Sequence, residues 1–126
     1  MGFRQQIAPA TQAELHQASQ QRLAGNAKGE FHHLERAHVL GQASTYWHVV
    51  VHMKMLGWGW RQRQTREILG QLLRIVGAAT KTVFGWVPAG NTGGANVSPF
   101  KPMPITADLA ARISAARQAT ANASKK

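Results

Sequence analysis

The pattern that most narrows what this chain can fold into lies in residues 68–83. There Ile68, Leu69, Leu72, Val76, Ala79 and Val83 recur at spacings of three and four, with Glu67, Gln71 and Arg74 between them. At 3.6 residues per turn this spacing gathers the apolar side chains on one stripe, so it predicts a long helix with that stripe toward a core and Glu67, Gln71 and Arg74 on the opposite, polar side. No segment sustains the period-two alternation of a half-buried strand, which makes the expected class all-α. The chain has 126 residues and no cysteine. A domain of that length buries roughly two-thirds of its unfolded surface and needs no disulfide or metal to fold. The missing thiols exclude disulfide scaffolds, thiolate zinc sites and cysteine nucleophiles.

Glycine, proline and capping residues divide the rest. Thr11-Gln12-Ala13-Glu14 reads as a capping box just after Pro9, predicting a first helix from about residue 12 to about residue 24, before Gly25-Asn26. A second helix is expected from Ala27 to Leu40, and a third from Ser44 or Thr45 to Gly57, broken by the glycines of Leu56-Gly57-Trp58-Gly59-Trp60. Residues 88–105, rich in glycine and proline, read as an ordered extended arm. A short helix is expected after the cap Thr106, carrying Leu109, Ala110 and Ile113. The expected organisation is a compact bundle of about four main helices in a single domain over residues 1–118, with a disordered tail over residues 119–126. The first residues contain no signal-type apolar stretch. His48, His52 and Lys54 interrupt one apolar segment and Arg74 and Lys81 the other, so the expectation is a cytoplasmic protein with no membrane partner.

Five of the six histidines fall between residues 32 and 52. At 100° per residue Glu35 and His38 share the face of Phe31 and Leu34, whereas His33 and Arg36 point elsewhere. On the next helix His48 and His52 share a face with Thr45, Val49 and Met55. The short turn at Gly41-Gln42-Ala43 makes the two helices antiparallel neighbours, which sets His38 opposite His48 and Glu35 opposite His52. Glu35, His38, His48 and His52 are thus candidate ligands for a divalent transition metal: Glu-x-x-His on one helix and His-x-x-x-His on its partner put all four on adjacent turns. Three imidazoles and a carboxylate suit Zn²⁺, Fe²⁺, Co²⁺, Ni²⁺ or Cu²⁺. His48-Val-Val-Val-His52 lacks the glutamate of a zincin motif, and no catalytic residue is assigned. Taken singly, each histidine reads more readily as a hydrogen-bonded core residue than as a ligand, and it is the four together on facing stripes that point to a metal. His16, His32 and His33 read as surface.

The chain carries 15 Lys+Arg against 5 Asp+Glu, a formal charge of +10. Its densest basic run, Arg61-Gln62-Arg63-Gln64-Thr65-Arg66, follows Trp58 and Trp60 and opens a helix. Basic and aromatic residues together are the composition of surfaces that bind nucleic acid or an acidic protein, so Arg61, Arg63 and Arg66 form a second candidate site, for a non-enzymatic interaction module. Gly90-Asn91-Thr92-Gly93-Gly94 lacks the Gly-Lys-Ser/Thr of a phosphate loop; its glycines are expected to let the arm lie against the helices.

The stretch Phe31-His32-His33-Leu34-Glu35-Arg36-Ala37-His38-Val39-Leu40-Gly41-Gln42, followed by His48, His52, Met55-Leu56-Gly57-Trp58-Gly59 and Gly90-Asn91-Thr92-Gly93-Gly94, resembles the domain of unknown function 3703 family. That resemblance spans about residue 12 to about residue 110. It implies a short bacterial protein with a link to metal resistance, and no established reaction. Phe31 to Gln42 also resembles the second helix of a tetratricopeptide repeat, but no second copy follows at the required spacing of about 34 residues.

Overall fold

The computed structural model describes residues 2–84, 90–98 and 101–126. It contains five helices: α1 (Phe3–Leu23), α2 (Ala27–Gly41), α3 (Thr45–Arg61), α4 (Thr65–Phe84) and α5 (Ala107–Ala123). There is no strand among the described residues, and the class is all-α. Connections of three residues join the first four helices, so each packs antiparallel against the next, and α5 returns onto α1 and α2. No helix among the described residues is long and apolar enough to cross a membrane.

Helix α2 starts at Ala27 as expected, runs one residue past Leu40 to Gly41, and is capped by Asn26, whose side chain accepts the Gly29 N–H at 2.9 Å. Helix α1 starts nine residues earlier than the capping-box reading. Ile7, Thr11, Glu14 and Ala18 form one buried stripe that runs straight past the exposed Pro9, and packing along it outweighs the hydrogen bond the proline cannot make. Thr11 and Glu14 therefore cap nothing. The Thr11 hydroxyl donates to the Ile7 carbonyl at 3.1 Å, and Glu14 receives His33, Arg36 and Arg112. With the Arg36–Asp108 pair, this network ties α1, α2 and α5 together, so His33 and Arg36 face a neighbouring helix and not solvent.

Helix α3 continues through both glycines that were expected to break it. Gly59 is an approach point: a Cβ there would sit 3.2 Å from the Glu67 Cβ, so a larger residue would require α4 to give by a few tenths of an ångström. The Arg61–Arg66 run does not open one helix as expected. Arg61 ends α3, Arg63 turns the chain with φ of 55°, and Arg66 lies in the first turn of α4. At the other end α5 runs to Ala123, through the first five residues of the expected tail.

The orientation of α4 reverses the sequence expectation. Glu67, Gln71 and Ala78 are buried, while Leu69, Leu72, Leu73 and Val76 are exposed. The core already exists without them. One apolar cluster is Ile7, Val39, Leu40, Trp47, Leu109 and Ala116, and the other is Ala18, Leu34, Ala37, Val51 and Met55. What α3 offers to α4 is polar, and the polar side of α4 answers it. The side chain of Val83 and the start of the arm at Pro88 lie outside the described residues.

Candidate metal centre

His38 projects from α2, and His48 and His52 project from successive turns of α3. Their rings meet with centroids 4.7–4.8 Å apart, and one nitrogen from each can be chosen so that all lie within 4.8 Å of one another. His38 and His52 are buried. The two closest nitrogens are the Nε2 atoms of His38 and His52, 3.2 Å apart.

The outer nitrogens determine where the protons are. His38 Nδ1 lies 2.6 Å from the Asn91 backbone oxygen, which can only accept, so this nitrogen carries the hydrogen. His52 Nδ1 lies 2.6 Å from Gln71 Oε1. That amide is fixed the right way round, because Gln71 Nε2 donates to the Glu67 carboxylate at 2.6 Å and to the Gly93 carbonyl at 2.9 Å. Both neutral rings are therefore Nδ1–H tautomers, and their Nε2 lone pairs point into the same space. A proton between them would make one ring an imidazolium. Burial opposes that, pushing His38 well below the usual histidine value, with His52 and His48 adding to the effect. Burial likewise lowers His52 to about 4 despite the Gln71 bond that favours its charged form.

A cation satisfies both lone pairs. Zinc–nitrogen bonds of about 2.0–2.1 Å in tetrahedral geometry separate neighbouring donor atoms by about 3.3 Å, close to the spacing found here. Ligating histidines ordinarily donate their second N–H to a carbonyl or a carboxylate-linked group, which is what Asn91 and the Gln71–Glu67 pair supply.

The glycine segment closes this second layer. Asn91 is buried; its Nδ2 donates to the Ser98 and Lys101 carbonyls at 2.8 and 2.7 Å, and its Oδ1 accepts the Gly93 N–H at 2.9 Å. Gly93 has φ of 83° and presses on the His38 ring, where a Cβ would come 2.5 Å from Cδ2. Glu67 accepts the Ala95 N–H as well.

Glu35 departs from the expected arrangement. It is half-buried, is not among the three residues whose donor atoms cluster, and accepts the Thr92 hydroxyl. Burial raises its carboxyl above the ordinary value, opposed by that hydrogen bond and reinforced by Glu67. His38 meets both histidines of α3, its ring centroid 4.8 Å from that of His48 and 4.7 Å from that of His52. The supporting residues Glu67, Gln71, Asn91 and Gly93 were missed. The available signal was the Glu67-x-x-x-Gln71 spacing on the polar side of α4, which becomes meaningful only when that side is turned toward the histidines.

The second candidate site is divided. Arg61 pairs with buried Glu30, and Trp58 donates to the Ala27 carbonyl at 2.9 Å while stacking on Phe31 with ring centroids 4.5 Å apart. Trp60, Arg63 and Arg66 are exposed.

The family described as "Protein of unknown function (DUF3703)" matches residues 5–113, and the chain belongs to it. No curated protein and no solved structure matches.

Proposed function

We propose that this protein binds one divalent transition-metal ion through His38, His48 and His52, in a role such as metal homeostasis or resistance. The reading rests on the convergence of the His38 and His52 Nε2 lone pairs, 3.2 Å apart, with both outer nitrogens engaged as donors. Three neutral imidazoles and no thiolate suit Zn²⁺, Co²⁺, Ni²⁺, Cu²⁺ or Fe²⁺ and leave a further position for water or another ligand. Glu35 serves in this reading as a nearby carboxylate that offsets the ion's charge and fastens the covering loop through Thr92, outside the ligand set.

Elemental analysis of untagged protein, loaded and then desalted, tests the proposal. The expected content is roughly one ion per chain, and His38→Ala and His52→Ala each abolish stoichiometric binding. A content well below this in the parent protein, or one unchanged in both variants, contradicts it.

A further inference from the structure

Leu69, Leu72 and Leu73 on α4 are 58, 48 and 76% exposed. One exposed leucine is ordinary, but three on a single stripe, at spacings of three and four, form a contiguous apolar face of the kind that marks an interaction surface. The opposite face of α4 is occupied by the Glu67 and Gln71 contacts, and among the described residues α3 is its only helical neighbour. The spacing is that of a seam for another helix.

Charge selects the occupant. All five carboxylate side chains of the molecule have partners within it: Glu14 with His33, Arg36 and Arg112, Glu30 with Arg61, Glu35 with Thr92, Glu67 with Gln71 and Ala95, and Asp108 with Arg36. The seam, in contrast, is bordered at its start by exposed Arg63 and Arg66, and Arg66 stands three residues before Leu69 and seven before Leu73. A second copy, itself a chain of net charge +10, would offer these arginines no uncommitted acid. A phosphate backbone would leave the leucines exposed to water. We infer that the Leu69–Leu72–Leu73 stripe docks an amphipathic acidic helix of another protein, its apolar positions against the leucines and its carboxylates against Arg63 and Arg66. This inference does not depend on the metal site.

Two synthetic helical peptides with the same leucine seam, one flanked by glutamate and one by lysine, provide the probe in fluorescence-anisotropy titrations of the full chain. The glutamate peptide should bind and weaken with salt, and the lysine peptide should not bind. A double Leu69→Gln, Leu73→Gln change should cost at least ~10-fold in affinity while leaving the melting temperature unchanged, since both side chains face solvent. Arg63→Glu with Arg66→Glu should exchange the preference between peptides. Equal affinity for the two peptides, no binding of either, or seam variants without effect would overturn the inference. So would a dimer in sedimentation that the double glutamine change dissociates, or tighter binding to phosphatidylglycerol vesicles than to the glutamate peptide.

Discussion

Gln71 is the side chain on which the tautomer of His52 depends. Its amide oxygen holds the His52 Nδ1–H, and its amide nitrogen is committed to Glu67 and to the Gly93 carbonyl. A Gln71→Leu substitution keeps a similar volume but leaves His52 free to move its proton to Nε2, the nitrogen aimed at the ion. Supporting groups of this kind are worth roughly 10–100-fold in metal affinity, and a loss in that range is expected by competition with a chromophoric chelator. Gln71→Glu should lose affinity as well, because it sets a carboxylate oxygen against the Glu67 carboxylate and the Gly93 carbonyl where the amide N–H groups now donate. Equal binding by the leucine variant and the parent would mean that the hydrogen bond does not orient the ring. From sequence, Gln71 looked like a solvent-facing residue between leucines. Its burial is decided by a partner 19 residues away, which no local periodicity encodes.

Among the elements, legibility followed the strength of local signals. Asn26 and Ser44 mark the starts of α2 and α3 because their side chains accept backbone N–H groups that the first turn leaves unbonded; Ser44 was legible as a cap, whereas Asn26 was read only as the stop of the first helix. Pro9, Gly57 and Gly59 were misleading because their local penalties, about 3 kcal/mol for an interior proline and about 1 for a glycine, are outweighed by burial along a continuous stripe or by close helix approach. The class of α4 was plain while its orientation was not. Periodicity identifies an apolar face, but not whether that face meets this chain's core or another molecule. The glycine segment was correctly read as lying against helices, although what it covers was not. Gly93 combines a left-handed backbone with contact on His38, so Gly93→Ala is strained twice over. The expected result is a weaker ion affinity with far-ultraviolet helix content unchanged. Unaltered affinity would show that the segment can leave His38 without consequence.

For the molecule as a whole, a buried histidine cluster sets how ion-free protein responds to acid. His38 and His52 hold their pKa values below the usual 6.5 in the fold, His52 at about 4, so between these values the unfolded chain binds more protons than the folded one. Stability therefore rises with pH across that window and is lost as pH falls from about 6.5 toward 4. For His52 alone, a shift from 6.5 to about 4 at about 1.36 kcal/mol per pH unit corresponds to about 3 kcal/mol. Glu35, whose carboxyl is raised, acts with the opposite sign above its ordinary value, but as one half-buried group against two buried rings it only softens the slope. Thermal melts of chelator-treated protein should show the midpoint falling steadily between pH 6.5 and pH 4.5. A flat profile in the parent, or an equally steep fall in His52→Ala, would not fit. The candidate site was legible as three histidines because their helical phases and a short turn suffice to bring them together. Its outer layer was not, since Asn91 and Gln71 arrive from a distant loop and the far helix.

The central claim is that two neutral imidazoles present unprotonated Nε2 atoms to one another, and imidazole nitrogen-15 chemical shifts measure this directly. Long-range proton–nitrogen spectra of the ion-free protein at pH 7.5 should show His38 and His52 as Nδ1–H tautomers with unprotonated Nε2. Titration with Zn²⁺ should then shift both Nε2 resonances together until one equivalent is bound and leave the Nδ1–H signals in place. An Nε2–H tautomer on either ring before zinc is added, or Nε2 resonances unmoved by it, would contradict the account.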